Sequence, residues 1–229
     1  MALTGGSNEE RQQAAASTTP SAKQSGYYEN VRADVIAGVP RPLGAALDVG
    51  CGAGLVGASL KPLGATRVVG VEYVPEQAAR AAELLDRVVT GSIDDAVEEL
   101  DDERFDTILC LDVLEHLVDP ISTLRALRTL AVDGARLQVS VPNARHLSLV
   151  WDLMVRGTFG YTEHGHRDST HLRWFTRSDI VDAVEQAGWA VERVSHPALQ
   201  RTRALDRLTA GRSTEFTVGQ WYVLARARG

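Results

Sequence analysis

Between residues 46 and 142, short apolar runs alternate with segments long enough to form helices: ALDVG (46–50), RVVGVE (67–72), RVVTGS (87–92), FDTILCLD (105–112) and ARLQVSVP (135–142). A strand that is apolar at successive positions buries both faces, and parallel strands joined through covering helices are the arrangement that allows this. The pattern predicts a doubly wound α/β fold. The intervening segments carry their own limits. PEQAARAAELLDR opens with Pro75 where a first helical turn tolerates it, and DPISTLRALRTLA places Asp119 at an N-cap and Pro120 at N1. Upstream, Val31, Val35 and Ile36 stand at helical spacing before Gly38 and Pro40, predicting a leading helix. Residues 144–170 break the alternation, mixing Trp151, Met154, Phe159 and Tyr161 with histidines and glycines, as an insertion beside the strand ends would. The chain then predicts a helix from Ser178 to Gln186 stopped at Gly188, a strand near AVERVS, an Arg-rich connection and a final strand WYVLARA.

Residues 1–25 are small and polar without an apolar period, so they cannot offset the entropy of ordering and are expected to form a disordered tail. The remaining 26–229 are expected to form one domain. With 24 Lys and Arg against 30 Asp and Glu, the formal charge of −6 opposes a broad grip on nucleic acid or an anionic membrane. No run reaches the roughly 20 apolar residues that span a bilayer, and the start lacks a signal peptide's apolar segment, so a cytoplasmic location is expected. Cys51 and Cys110 sit in a glycine turn and an apolar run, and both read as reduced thiols.

Asp48-Val49-Gly50-Cys51-Gly52-Ala53-Gly54 ends the first strand and opens a helix. Glycines there let backbone approach a ligand closely, and free N–H groups at a helix start suit a carboxylate or phosphate. A plain glycine turn has the same look. Glu72 at the end of the second strand sharpens the reading, because an acid about 20 residues on is placed to take both hydroxyls of a ribose.

The succession ALDVGCGAG, VEYVPEQAARA, GSIDD and FDTILCLDVLEHLVDP resembles the class I S-adenosylmethionine-dependent methyltransferases, over essentially Tyr27 to Ala227. The resemblance implies a Rossmann-like, mostly parallel seven-stranded sheet with helices on both faces and an antiparallel last strand. It implies that Asp48, Gly50, Gly52 and Gly54 meet the methionine part of the cofactor, Glu72 the ribose, and Ser92 and Ile93 the adenine. Ser92 stands where an acid is common in the family, and Asp94 is the neighbouring substitute. Tyr28, Cys51, Leu55, Tyr73 and Leu111 complete the expected contact set, with Tyr27 and Tyr28 also suited to packing the leading helix. A nicotinamide dehydrogenase shares a glycine loop followed by an acid, but the GCGAG turn and the DVLEHL block oppose it.

Methyl transfer displaces a methyl group in line from a sulfonium, so the protein must align donor and nucleophile and, for a hydroxyl, remove its proton. Asp112, Glu115 and His116 follow the fourth strand; on a helix they share one face and offer a cation site, or His116 a base. The D-x-x-E-H block, the V-P-N after the fifth strand and the later His171 resemble the ubiquinone-pathway O-methyltransferases and the small-RNA terminal 2′-O-methyltransferases. That resemblance implies Asp112, Glu115, His116 and His171 as ligands of Mg2+ or Mn2+, with Asp112 a shorter arm than the family's Glu, and catalysis through His116 and His171. The plainer reading is structural: His116 orients the next helix and His171 holds the insertion.

For the acceptor, similarity to methyltransferases of saccharide and secondary-metabolite clusters implies the hydroxyl of a small molecule or sugar. Alternatives are N- or C-methylation, a small-RNA acceptor, which the net acidity opposes, and a catalytically silent cofactor-binding module. Trp151, Phe159, Tyr161 and Trp174 suit a satellite core under a lid or stacking on a ring. Arg201, Arg203, Arg207 and Arg212 suit a solvated face or an anion. A homodimer is compatible with the sequence, which does not fix the oligomeric state.

Overall fold

The computed structural model describes residues 32–197, 209 and 213–228. The expected tail, Tyr27, Tyr28, Val31 and Arg201, Arg203, Arg207 and Arg212 lie outside them. Seven strands form one sheet: β1 Gly44–Val49, β2 Ala65–Glu72, β3 Arg87–Thr90, β4 Phe105–Leu111, β5 Ala131–Pro142, β6 Trp189–Ser195 and β7 Gln220–Ala227. Their spatial order is β3-β2-β1-β4-β5-β7-β6. β1 to β5 pair in parallel, and β7 inserts between β5 and β6 antiparallel to both. This is the expected doubly wound sheet, and the last strand in sequence is the antiparallel one.

The apolar runs behave as the two-face argument requires. Ala46, Val68 and Leu109 pack with Leu60, Ala81 and Leu85 in one core; Leu47, Val69 and Ile108 pack with Leu124, Leu127 and Ile180 in the other. The first core takes the leading helix α1 (Ala33–Ile36), α2 (Leu55–Leu60) and α3 (Pro75–Ala82). The second takes α4 (Ile93–Glu99), α5 (Pro120–Thr129) and α7 (Arg177–Gln186). Local chemistry sets the boundaries. Asp119 caps α5 by accepting the Ser122 N–H, with Pro120 in the first turn. Thr176 and Asp179 form a reciprocal capping box that starts α7 at Arg177, one residue before the expected start. β5 begins four residues earlier than its apolar run, because Ala131 pairs with Phe105 before the register shift.

The break in alternation after β5 contains the helix α6 (Leu147–Val155) and then an irregular stretch up to Phe175, which bridges back to Asn143. The buried Asn143 fixes this excursion: its Nδ2 donates to the carbonyls of Glu215 and Val218, its Oδ1 accepts the Arg145 N–H, and its own N–H reaches Gly219. A short helix, α8 (Thr214–Thr217), precedes β7.

Candidate active site

The strand order reverses between β1 and β4, and in open α/β sheets the crevice at such a reversal, outside the carboxyl ends of the strands, is where ligands bind. The glycine turn leaves β1 at that point. Gly50, Gly52 and Gly54 all have positive φ (68°, 54° and 83°), a region closed to most side chains. A Cβ at Gly54 would stand 2.9 Å from Ala81 Cα, so the turn is also packed tightly on α3. The N–H groups of Gly50 and Cys51 donate to the Val71 carbonyl, tying the turn to β2.

Glu72 is the clasp between the first two strand ends. Its Oε2 accepts the Gly52 N–H and its Oε1 the Val74 N–H, both at 2.8 Å, which fixes a carboxylate at the mouth of the crevice. The next turn joins through the Gly91 N–H to the Glu72 carbonyl. Ser92 caps α4 by accepting the Asp95 N–H; Ile93 follows half-buried and Asp94 is exposed. Tyr73 is exposed beside Glu72, while Leu55 and Leu111 are half-buried at the starts of α2 and the post-β4 turn. Under the turn, Asp48 is buried with Oδ2 unpartnered. Burial, reinforced by the charge of Glu72, pushes its carboxyl up to about 7. Burial also pushes the Cys51 and Cys110 thiols up, so both stay protonated and unreactive.

The segment after β4 departs from the expected helix. Only Leu114–His116 form a short 3-10 turn, and Asp112 takes φ 56°, outside the helical region. Asp112 therefore does not share a face with Glu115 and His116. Its carboxylate pairs with Arg32, and its Oδ1 accepts from Ser140 Oγ (2.8 Å) and Gln220 Nε2 (3.0 Å). Tyr222 extends this network by donating to Asp34. The expected fourth ligand is thus committed to tying α1, β5 and β7 together.

The other three residues do come together: among the described residues, one ligand atom each of Glu115, His116 and His171 lie within 4.8 Å of one another. The imidazoles meet edge to face at 4.8 Å between centroids. The Glu115 carbonyl holds the downstream segment by accepting the N–H groups of Leu172 (2.7 Å) and Arg173 (3.0 Å), which delivers His171 to His116 from 55 residues further along the chain. The buried Glu115 Oε2 has no partner, and burial together with the Asp112 charge pushes its carboxyl well above the usual range. Burial and the neighbouring His116 push the His171 imidazole down. His116 Nδ1 faces the Thr170 carbonyl and hydroxyl at 3.3 and 3.1 Å.

Two further histidines extend this group. His146 and His166 stack at 4.7 Å with 14° between planes, His166 Nε2 lies 2.8 Å from the Gly219 carbonyl, and the His166 backbone lies against the His171 imidazole. Nothing in a single sequence pairs them, since their spacing matches no local motif. Beside them runs a shallow cleft of about 580 Å³ along α6, lined by His146, Trp151, Asp152, Arg156 and Phe216 among others. Phe159 packs edge to face on Tyr161 and Trp174, but Tyr161 is 60% and Trp174 38% exposed, so these rings form a surface cluster rather than the expected buried core, and Trp151, 54% exposed, lines the cleft.

Residues 26–194 match the family model described as a methyltransferase domain. The chain belongs to this methyltransferase family. A curated relative, the ubiquinone biosynthesis O-methyltransferase of Xanthomonas axonopodis pv. citri, is 36% identical over 187 residues, 79% of this chain and 77% of the relative. Among solved structures, an S-adenosylmethionine-dependent methyltransferase from Archaeoglobus fulgidus overlays with a TM-score of 0.60 at 14% identity, covering 96% of this chain and 95% of the other. A putative methyltransferase from Haloferax volcanii, solved with the Trm112 activator, gives 0.64 at 20% identity over 90% and 92%. The methyltransferase fold is therefore shared even where little sequence is. This methyltransferase is an S-adenosylmethionine-dependent enzyme, and among its described residues no helix is long and apolar enough to cross a membrane.

Proposed function

We propose that this methyltransferase transfers the methyl group of S-adenosylmethionine to a hydroxyl of a small molecule. The observation that carries the reading is the polar group of Glu115, His116 and His171 at the same sheet edge as the glycine turn and Glu72. The donor set fits the cofactor: Glu72 presents a fixed carboxylate for two ribose hydroxyls, the turn from Gly50 to Gly54 exposes backbone without side chains, and Ser92, Ile93 and Asp94 border the adenine end. Asp48 lies beneath the methionine end, with Cys51, Leu55, Tyr73 and Leu111 as walls.

When bound, the donor supplies an electrophilic methyl on a sulfonium. The protein's part is to hold the acceptor oxygen in line with that bond and take its proton. The unpartnered, buried Glu115 Oε2 beside two imidazoles is a fitting divalent-cation set, and two nitrogens with one carboxylate favour Mn2+ over Mg2+. Such a cation would lower the acceptor hydroxyl's pKa. Asp112 is left out of the set because its oxygens are engaged elsewhere. A second reading rests on His171 itself: an imidazole pushed down by burial is neutral near pH 7 and competent to accept the proton directly. Turnover of chelator-treated enzyme on vicinal diols and catechols, with and without added Mn2+, separates the two; methylation of amines or carbon nucleophiles alone would overturn O-methylation. The net charge of −6 supports a small-molecule acceptor over RNA. We place the enzyme in the cytoplasm as one domain over residues 26–229, and leave a homodimer as a proposal for sedimentation to test.

A further inference from the structure

We infer that the cleft along α6 is the acceptor subsite, and that it selects an elongated molecule with a hydroxylated ring at one end and a single carboxylate at the other. The inference rests on the reading of Glu115, His116 and His171 as the reacting end. The cleft is bounded by His146 at the start of α6 and Arg156 at its end, about 15 Å apart at 1.5 Å per helical residue. Its near end adjoins the reacting group: His146 stacks on His166, the His166 backbone lies against the His171 imidazole, and His171 meets His116.

Its middle is lined by Leu147, by Trp151, which is more than half exposed, and by Phe216 of α8, whose ring is covered by the Arg145 guanidinium at 4.5 Å. With Leu147 (53%), Leu153, Met154 and Val155 also exposed on α6, Trp151 belongs to an apolar patch rather than standing alone, and its aromatic face suits a planar or apolar ligand. Its far end is cationic. Asp152, itself 9% exposed, pairs with Arg156 at 3.0 Å and Arg167 at 3.1 Å, so one carboxylate faces two guanidinium groups and one positive charge remains. Arg156 keeps 68% of its side chain in solvent, leaving donors for a planar bidentate partner. Next in sequence to the lining residues His146 and Phe216, Arg145 is balanced by Glu215. One residual charge on an otherwise acidic protein matches a carboxylate, and a neutral ligand would leave it unused.

The test uses the full chain saturated with S-adenosylhomocysteine and two elongated probes of matched shape that differ in charge, 8-(3,4-dihydroxyphenyl)octanoate and its primary amide, titrated calorimetrically. The carboxylate should bind about tenfold more tightly than the amide, the worth of one charge-assisted contact. Arg156→Gln should bring the two probes together by weakening the carboxylate alone, and Trp151→Ala should weaken both, with nucleoside affinity unchanged in each variant. Equal affinities in the wild type, a preference that survives Arg156→Gln, or no binding of either probe at millimolar concentration would overturn the subsite. Failure of S-adenosylhomocysteine itself to bind would instead overturn the cofactor reading beneath it.

Discussion

The two halves of the sheet edge are built by different means. On the β1–β2–β3 side, each functional group leaves a strand and is fixed within one short turn or by the adjacent strand: Glu72 reaches Gly52, Val74 and, through its carbonyl, Gly91. On the β4–β5–β7 side the partners are distant in sequence. Arg32 meets Asp112 and Gln220, Glu115 holds Leu172, and His166 meets Gly219. Under the proposed function, local construction suits a site that must accept one invariant cofactor, and assembly from distant segments lets the proposed acceptor side change without disturbing the donor side.

Breaking the distant side should have the largest effect. His171→Ala should lower turnover about 10² to 10⁴-fold, the usual worth of a positioned proton-transfer group, and leave nucleoside affinity unchanged. Steady-state kinetics beside calorimetry read this split, and matched losses in both would make His171 a structural residue. Asp48 gives the next effect. Its carboxyl is raised from 3.8 to about 7 in the fold, so its ionisation costs nothing below pH 4, an increasing amount from there to pH 7, and a constant amount above. At about 1.4 kcal/mol per unit that is at most about 4 kcal/mol. Asp48→Asn should therefore raise the melting temperature at pH 8 and leave it unchanged at pH 4; an equal shift at both would remove the buried charge from the account.

Smaller changes probe the donor side. Gly54→Ala forces a side chain into a left-handed turn and against Ala81, and should cost about 1–2 kcal/mol from the backbone alone in thermal unfolding. Asp94→Ala should matter least. Asp94 is exposed in the first turn of α4, so its loss should cost about 0.5 kcal/mol of helix stability. A large fall in nucleoside affinity would instead make it an adenine contact.

The same contrast explains what the sequence revealed. The strand runs, the Asp119 cap, the GCGAG turn and Glu72 were legible because each depends on neighbours in sequence or on strand pairing. The Asp112 conformation was not, since its left-handed backbone is held by Arg32, Ser140 and Gln220, residues 28 to 108 positions away. Periodicity alone put Asp112 on a helix face that a 3-10 turn of three residues does not provide. His116 and His171 could be named from a motif, but their meeting depends on the Glu115 carbonyl, which carries no side-chain signature. The stacked His146 and His166 left no pattern at all.

Calorimetric titration of the full chain with S-adenosylhomocysteine, wild type against Glu72→Gln, tests the central claim most directly. The account predicts dissociation constants near micromolar for the wild type and about 10 to 100-fold weaker binding for the variant, the worth of charged hydrogen bonds to two ribose hydroxyls. No nucleoside binding, or the same affinity in both proteins, would contradict it.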